Sequence, residues 1–380
     1  MLSVMGEHFV KNAILRLTPT VGKEKIMYNI LADLHHAGLL NSLILLFEKR
    51  LGGNLFRPIG REWYEQGFWN VYEHEETIEQ YLGINGATPD DSPKLNEVLK
   101  SDSLGLYNCH DISSGTINKA ITLERFYKSK IDIVIASIPQ HVEPFRKLCD
   151  MHPDKPTLIY QIGNAWNITP EQESLIDGIM ASARLRRKPS IPYIEYHQEF
   201  DLNIFNYEKD LKPGQYITSF VNCFNTDDLF KLDWTIFEQV ERMMPDWDFK
   251  ALGGGCRDGY AKGDPGVAQA MKNARFIWHT KNGGDGYGHI VHNTGAVGRP
   301  MITRKSYYYG KLGEDLMIDG ETCIAIDGLG KQEIVNKILH FSEPDRYRKM
   351  CNAVANNFKK MVNFEEEEEK IRQFLLTIIQ

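Results

Sequence analysis

The sequence predicts an α/β protein in which two parallel-sheet domains face a central cleft. Short apolar runs rich in β-branched residues alternate with amphipathic helical segments along most of the 380 residues. This alternation is typical of βαβ units, whose parallel strands are covered by helices on both faces. A chain of this length also exceeds what one hydrophobic core usually organises, so two domains of about 150–200 residues are expected.

In the first half of the chain, the first strand is predicted at 26–32 and is followed by an apolar helix at 39–52. Another helix is predicted at 142–151, where apolar residues recur at helical spacing. Further strands are predicted at 55–60, 103–109, 131–137, 157–163, 178–182 and 191–196. Residues 1–24 show neither pattern and are interpreted as an irregular extension before a domain at 25–200.

A polar segment at 201–215 ends in Pro213-Gly214 and is interpreted as a linker, because Pro and Gly interrupt regular structure. The alternation then resumes, which places a second domain at 216–362 and a separate final helix at 363–380. In this half, strands are predicted at 216–224, 248–255, 276–281, 300–303 and 323–327, and helices at 234–244, 266–274, 288–298, 331–342, 345–361 and 364–380.

The most informative segment is the glycine-rich stretch at 283–302, GGDGYGHIVHNTGAVGRPMI. It directly follows the predicted strand at 276–281, and a helix is expected to begin near Gly288 or His289. Glycines allow positive φ and close approach of a ligand, while the free N–H groups and positive dipole end of a helix attract phosphate. Asp285 adds an acceptor for sugar hydroxyls. The segment therefore predicts a phosphate-bearing ligand at the carboxyl ends of the strands.

The same segment resembles the large retaining family of GT-B glycosyltransferases, whose C-terminal domain carries E-G-F-G-(x)4-E-A-(x)2-G-x-P-V-I. This chain has DGYG at 285–288, Asn293 at the second glutamate position, Gly298, and PMI at 300–302. The spacing of the two glutamate positions is preserved, although their identities change to Asp and Asn. The resemblance implies a GT-B fold of two Rossmann-like domains and a helix that crosses back to the first domain at the end of the chain.

The resemblance also implies an activity. An enzyme of this family moves a sugar from a nucleotide-diphosphate sugar to an acceptor hydroxyl, retains the anomeric configuration and needs no divalent metal. In the family, the first glutamate binds sugar hydroxyls and the second holds the nucleotide ribose, and these roles fall here to Asp285 and Asn293.

The family binds the donor diphosphate with an Arg and a Lys. The Arg position falls near Asn222 or Cys223, which departs from the family, whereas Lys231 matches the Lys. Lys281, just before the glycine loop, is the better-placed cation. The predicted donor-binding residues are Lys231, Lys281, Gly284, Gly286, Tyr287, Gly288, His289 and Asn293.

On the opposite side of the cleft, the segment DLHHAG at 33–38 follows the first strand directly. Histidine is a common general acid or base, and His35 and His36, together with Asp285, are predicted to be catalytic residues. The alternative interpretation is that one or both histidines simply cap the following helix. The predicted acceptor-binding residues are Asp33, His110, Asn164, Arg184, Arg186 and Arg187.

Three alternative functions stay open. The first is an inverting GT-B transferase or a nucleotide-sugar epimerase, in which His35, His36 or Asp33 acts as a base. The second is a phage-type DNA glycosyltransferase acting on a hydroxymethylated base, with the aromatic stretch at 63–69 stacking on the extruded base. The third is a non-catalytic nucleotide- or nucleic-acid-binding module.

The charge, cysteine spacing and apolar runs of the sequence limit the kinds of partner and compartment that are expected. A net charge of −7 argues against a dominant nucleic-acid footprint, because DNA affinity depends on Lys and Arg that neutralise phosphates. The six cysteines show neither zinc-finger nor disulfide spacing, and the longest apolar run, at 39–47, is too short to span a bilayer. A cytoplasmic enzyme is therefore expected. Its partners are a nucleotide-sugar donor as co-substrate and a hydroxyl acceptor, either a glycan or a modified DNA base; no further cofactor, metal site or oligomeric state is predicted.

Overall fold

The computed structural model describes residues 27–33, 37–58, 61–68, 106–111, 116–163 and 168–379. These residues form two mainly parallel sheets with helices packed on their faces. The predicted α/β architecture of two domains is therefore confirmed.

The strands of the first domain are β1 (Asn29–Ala32), β2 (Asn54–Pro58), β3 (Leu106–Asp111), β4 (Thr116–Ile121), β5 (Ile133–Ala136), β6 (Thr157–Ile162), β7 (Gly178–Ala181) and β8 (Tyr193–Glu195). They form one sheet in the order β3-β4-β2-β1-β5-β6-β7-β8. In the centre, Ile30 lies opposite Leu55 on one side and Ile133 on the other. Successive residues pack into different cores, Leu31 on one face and Ile30 on the other, because side chains alternate along a strand.

The helices of this domain are α1 (Ala37–Leu43), α2 (Arg61–Glu65), α3 (Leu123–Lys128), α4 (Val142–Met151) and α5 (Pro170–Glu173). The helix predicted at 39–52 is present as α1, which continues as a π-helical segment over Ile44–Arg50. Its side chains at Leu40, Leu43 and Phe47 are buried against the sheet.

One edge of the first sheet differs from the prediction of purely parallel strands. β3 and β4 form an antiparallel hairpin, and β4 then pairs in parallel with β2. β4 is absent from the predicted elements because its sequence, TINKAI, includes Asn118 and Lys119 and so lacks the apolar run that indicates a buried strand.

The second domain contains β9 (Tyr216–Ser219), β10 (Asp248–Ala251), β11 (Phe276–His279), β12 (Met301–Thr303) and β13 (Cys323–Ala325), all parallel and in the order β10-β9-β11-β12-β13. Its helices are α6 (Lys231–Met243), α7 (Gly263–Asn273), α8 (His289–Ala296), α9 (Lys331–Ser342) and α10 (Pro344–Met361). Two 3₁₀ segments, Lys305–Tyr308 and Leu312–Leu316, follow β12. Across the described residues, no helix combines the length and apolarity required to cross a membrane.

A last helix, α11 (Phe364–Ile378), packs on the first domain although it follows the second in sequence. Ile371, Phe374 and Leu375 share a core with residues of α1 and β1. Asn363 caps the helix by accepting hydrogen bonds from the backbone N–H groups of residues 365 and 366. The two domains are thus tied together by a crossing helix as well as by the chain at 196–216.

The strand order reverses once in each sheet, between β1 and β5 in the first and between β9 and β11 in the second. Loops that leave strands on either side of such a switch point diverge and leave a crevice in which ligands bind. The residues that follow these four strands open onto one cleft between the domains, which is where a ligand site is expected.

Candidate active site

The cleft between the two domains has a volume of about 650 Å³. Uncharged side chains dominate the first-domain wall, whereas the second-domain wall carries the glycine loop and charged groups. The first domain contributes, among others, Gly38, Asn41, Ser137, Gln140 and Gln161. The second contributes, among others, Asn222, Gly253, His279, Lys281, Asp285, Gly286, Tyr287, Gly288, His289 and Asn293. All predicted donor-binding residues except Lys231 and Gly284 thus line this cleft.

The glycine loop joins β11 to α8 through three glycines with positive φ. Gly283, Gly284 and Gly288 have φ of 75°, 65° and 80°, a region that side chains other than glycine rarely adopt. Gly288 is the N-cap of α8, and no described side chain caps this helix. No described side chain therefore accepts hydrogen bonds from the first-turn N–H groups of α8. These groups can donate to an anion bound in the cleft.

Alanine substitutions at the two adjacent glycines are expected to separate backbone strain from steric clash. A Cβ at Gly284 would lie 2.2 Å from the carbonyl oxygen of Tyr307, whereas a Cβ at Gly283 would meet nothing within 4 Å. Gly283→Ala should cost about 1–2 kcal/mol for the left-handed backbone. Gly284→Ala adds the clash and should cost at least about 3 kcal/mol. Urea unfolding of both variants measures the difference, and equal losses would contradict the described packing of the loop.

Asp285 anchors the charged part of the site. Its Oδ1 accepts a hydrogen bond from Lys281 Nζ at 2.6 Å, and its Oδ2 accepts from His279 Nε2 at 2.7 Å and from the Tyr308 hydroxyl at 3.0 Å. Burial acts to raise the pKa of Asp285, but the nearby His279 and Lys281 outweigh it and hold that pKa well below its usual value. The carboxylate is therefore ionised and fixes Lys281 at the cleft. Three of its roughly four acceptor positions are occupied, which leaves one for a ligand hydroxyl.

Solved structures match the chain over nearly its whole length. A glycosyltransferase from Rickettsia africae superposes with a TM-score of 0.56 at 11% identity, covering 93% of this chain and 99% of that one. HepE from Anabaena, in complex with UDP-glucose, gives a TM-score of 0.55 at 11% identity and coverages of 92% and 99%. An α-glucosyltransferase in complex with UDP-glucose and DNA containing an abasic site gives 0.54 at 10% identity, with coverages of 91% and 99%. The chain has the GT-B fold.

The GT-B fold predicted from the glycine-rich segment is thus confirmed by structure, although sequence comparison finds nothing. No protein-family model matches the chain, and no curated protein sequence matches it significantly. At identities of 10–11%, the superpositions establish the fold alone. The correspondence of Asp285 and Asn293 to the family's two glutamates stays a prediction.

Two residues, Tyr287 and His289, connect the glycine loop to its surroundings. The Tyr287 hydroxyl donates to the carbonyl of Gln198 at 2.9 Å, and its ring stacks on His292 at a centroid distance of 4.1 Å. The His289 ring lies against Gly38, where an added Cβ would be 2.6 Å from Nε2. These contacts attach the glycine loop to the segment between the domains and to the start of α1, so both residues support the loop's position.

His292 fixes the carbonyl of the N-cap residue beneath the loop. It is fully buried, and burial together with the neighbouring His197 holds the pKa of His292 well below its usual value. The neutral ring donates from Nδ1 to the carbonyl of Gly288 at 2.9 Å. This hydrogen bond fixes the first turn of α8 relative to Gly288, the left-handed glycine that precedes it.

Asn293 and Lys231 have different surroundings. Asn293 is 7% exposed and lines the cleft, and its Oδ1 has no hydrogen-bond partner among the described residues. Lys231 is the first residue of α6, is exposed to solvent and does not line the cleft. Two residues before this helix, the carbonyl of Leu229 accepts a 3.3 Å hydrogen bond from Asn282 Nδ2, next to the glycine loop.

On the first-domain side of the cleft, Asp33 is buried and bonded within the protein. One carboxylate oxygen accepts from the backbone N–H of Ser137 at 2.6 Å, and the other contacts His141 Nδ1 at 2.5 Å. Asp33 therefore joins the loops that leave β1 and β5 at the switch point. The predicted catalytic residues His35 and His36 and the predicted acceptor residue Asn164 lie outside the described residues.

The remaining predicted acceptor residues are not brought to the cleft. His110 lies in β3 at the edge of the first sheet, separated from β1 by β4 and β2. Arg184 pairs with Asp315 of the second domain, and Arg187 pairs with Glu173. Arg186 is exposed, and none of these four appears among the described residues that line the cleft.

Two of the four aromatic residues in the stretch at 63–69, Trp63 and Phe68, are not available for the predicted stacking. Trp63 and Phe68 are both completely buried and pack edge-to-face at 5.5 Å in the core of the first domain. The Trp63 indole also donates to the carbonyl of Ile121 at 3.0 Å. Tyr64 is exposed, and Trp69 lies outside the described residues.

Sequence reasoning missed three residues that shape the charged part of the site. His279 is the last residue of β11, and Tyr308 and Lys311 belong to the segment after β12. Lys311 Nζ donates to the carbonyl of Gly283, and burial lowers the pKa of Lys311 below its usual value. A strand-end histidine next to the glycine loop was a visible signal, whereas nothing in the sequence indicated that residues 308–311 fold back onto the loop.

Proposed function

We propose that this protein is a glycosyltransferase that moves a hexosyl group from a UDP-sugar to an acceptor hydroxyl, retains the anomeric configuration and works without a divalent metal. The observation that carries this proposal is the pairing of the α8 start, which lacks a described side-chain cap, with Lys281 on one wall of the interdomain cleft. UDP or UDP-glucose is bound in solved structures of the same fold that match 91–92% of this chain.

The donor diphosphate would occupy the glycine loop. The N–H groups and dipole of α8 and the Lys281 ammonium would stabilise the charge that develops on the β-phosphate as the bond to the anomeric carbon breaks. Asp285 holds that ammonium in place through a 2.6 Å hydrogen bond, so little reorganisation is needed when the charge appears. The acceptor oxygen forms the new bond to the anomeric carbon as the bond to the β-phosphate oxygen breaks. UDP would leave with the bonding electrons, and the proton of the acceptor hydroxyl would pass to that phosphate oxygen.

Two hydrogen-bond acceptors of the site, on Asn293 and Asp285, would accept from hydroxyl groups of the ribose and of the transferred sugar. Asn293 Oδ1 has no described partner, and an unsatisfied buried acceptor costs about 1–3 kcal/mol, so a ribose hydroxyl that donates to it would relieve that cost. The one remaining lone-pair position of Asp285 can take a hydroxyl of the transferred sugar. His35 and His36 stay predicted catalytic residues on the acceptor side.

The first-domain wall supports a neutral, hydroxyl-rich acceptor. Asn41, Gln140 and Gln161 line this wall and supply both donors and acceptors, and among the described residues of the first domain no Lys or Arg lines it. A glycan matches this chemistry. A hydroxymethylated DNA base is the second candidate, because one α-glucosyltransferase of this fold was solved with DNA.

A donor screen followed by product analysis tests the proposal. Among UDP-, GDP- and ADP-sugars, we expect only the UDP-sugars to raise the melting temperature, and to do so more at higher concentration. At a hundred times Kd, ligand binding should add roughly 2.7 kcal/mol to the free energy of unfolding. Incubation with glycan acceptors should then give a product whose anomeric configuration, read by NMR, equals that of the donor, with the same rate in EDTA.

Each alternative has its own outcome in this screen. Product of the opposite anomeric configuration would identify an inverting transferase, and an altered free nucleotide sugar would identify an epimerase. Transfer to hydroxymethylated DNA with none to glycans would select the DNA acceptor. Binding without hydrolysis or transfer over long incubation would contradict the enzyme proposal and favour a nucleotide-binding module.

A further inference from the structure

Two thiols converge on one carbonyl group at the second-domain end of the cleft. Cys223 follows Asn222, and Cys256 lies in the turn that begins at Gly253; both Asn222 and Gly253 line the cleft. Cys223 Sγ lies 3.4 Å from the carbonyl oxygen of Gly254, and Cys256 Sγ lies 3.8 Å from the same oxygen. Cys256 Sγ also lies 3.1 Å from the carbonyl oxygen of Val221. Both sulfur atoms thus lie within 3.8 Å of one backbone oxygen, although 32 residues separate the two cysteines in the chain.

The backbone on both sides holds the thiols in this arrangement. Cys223 has a φ of 55°, a left-handed conformation that non-glycine residues seldom adopt, and its N–H donates to the Gly254 carbonyl at 2.8 Å. Asn222 Oδ1 accepts from the N–H of Gly254 at 2.9 Å. A Cβ added at Gly255 would lie 3.2 Å from Cys223 Sγ. Strained conformations of this kind persist where the surrounding structure determines them, often at functional sites.

Accessibility distinguishes this pair from the other described cysteines. Cys223 is exposed and Cys256 is partly exposed, whereas Cys149, Cys323 and Cys351 are buried. Burial raises the pKa of the Cys149 thiol and of the Cys323 thiol to about 12, so these two stay protonated and shielded. Since oxidation requires an accessible thiolate, an oxidant in solution reaches Cys223 before the other cysteines whose side chains are described.

We propose that Cys223 and Cys256 form a peroxide-sensitive dithiol that controls the nucleotide side of the cleft. Hydrogen peroxide oxidises the Cys223 thiol to a sulfenic acid and is itself reduced to water. The Cys256 thiolate then attacks the Cys223 sulfur, the S–S bond forms, and the sulfenic oxygen leaves as a second water. A dithiol such as dithiothreitol reverses the step by thiol–disulfide exchange.

The disulfide would act on the ligand through the two cleft-lining loops. A covalent bond between the sulfur atoms draws the loops after β9 and β10 together and displaces Asn222 and Gly253, which line the cleft. Displacements of about 1 Å in a positioned site can change rates or affinities by up to about 100-fold. We expect the oxidised protein to bind UDP-glucose about tenfold more weakly than the reduced protein. This second part of the proposal rests on the proposed function, whereas disulfide formation does not.

The test uses the full chain with Cys109→Ser, which removes the sixth cysteine. After hydrogen peroxide, intact mass should fall by two hydrogen atoms, and peptide mapping should give a Cys223–Cys256 link that dithiothreitol removes. Cys256→Ser should stop at a sulfenic acid on Cys223, trapped by dimedone. The dithiol proposal would be contradicted if Cys223 formed a stable sulfinic acid and no disulfide to Cys256. It would also be contradicted if the buried cysteines were oxidised first.

Donor binding is measured separately on the reduced, oxidised and re-reduced protein by calorimetry with UDP-glucose. Weaker binding that dithiothreitol restores, and that is absent in Cys223→Ser, supports control of the cleft. An unchanged affinity of the linked protein overturns that control. If the reduced protein binds no nucleotide sugar at all, the proposed function fails, while the mass measurements still decide the dithiol.

Discussion

Replacing Lys281 by alanine is expected to lower kcat/KM for transfer from UDP-glucose by about 100- to 1,000-fold, the loss seen when one preorganised charge-stabilising donor is removed. Lys281 Nζ is fixed by Asp285 at 2.6 Å, and its side chain is 40% exposed, so it reaches a ligand in the cleft while remaining oriented. The effect should fall mainly on kcat, because the leaving diphosphate carries more charge in the transition state than in the bound donor.

Lys147→Ala is the matched control. Lys147 pairs with Glu143 four residues away at 2.9 Å, but this pair is exposed on α4 and outside the cleft. Its kinetic constants should equal those of the unchanged protein. A comparable loss in both variants, or an effect of Lys281→Ala on KM alone, would contradict the role assigned to Lys281.

Asp285→Ala is expected to lower the free energy of unfolding by about 3–5 kcal/mol, the usual cost of removing one partner from a buried ion pair. The variant leaves His279, Lys281 and the Tyr308 hydroxyl without their shared acceptor. Asp285→Asn keeps an acceptor oxygen but loses the charge, so its loss should be intermediate. Urea unfolding measures both, and Glu143→Ala, which removes the carboxylate of the exposed pair, should change stability little.

The contribution of Asp285 also has a predictable pH dependence. Its pKa is lowered in the folded protein, so the unfolded chain binds more protons in acid and stability falls as pH decreases. The contribution is complete above the unfolded pKa of about 3.9 and is lost progressively below it. Asp285→Asn should therefore lose less stability than the unchanged protein between about pH 5 and pH 2; parallel acid profiles would show that the carboxylate is not held ionised by its partners.

Local patterns were sufficient to predict most of the regular elements. The apolar period places α4 at Val142–Met151 and α9 at Lys331–Ser342, both with the predicted bounds. The glycine-rich segment was predictable because its backbone requirements are written in the residue types, as Gly283, Gly284 and Gly288 show. The hairpin strand β4 was missed because its pairing with β2 and with the edge strand β3 needs no continuous apolar run.

The site itself was only partly visible in the sequence. The position of Lys281 beside the glycine loop follows from its sequence neighbours. The hydrogen bond from the Tyr308 hydroxyl to Asp285, in contrast, forms only because the chain folds back onto the loop 23 residues later. Asp33 and His141 meet across 108 residues at the switch point. Such contacts arise from tertiary packing, which leaves no periodic signal, and so the hydrogen-bond partners of Asp285 and Asp33 could not be derived beforehand.

Because α11 crosses back onto the first sheet, the domain that is synthesised first is the last to be completed. Ile371, Phe374 and Leu375 complete a core whose other members come from residues 28–196. A ribosome therefore finishes the strands of this sheet long before it supplies the side chains that cover them, and the nascent domain carries an open apolar face. The second domain, whose strands and helices all lie between residues 216 and 361, is contiguous and is the first of the two to become complete.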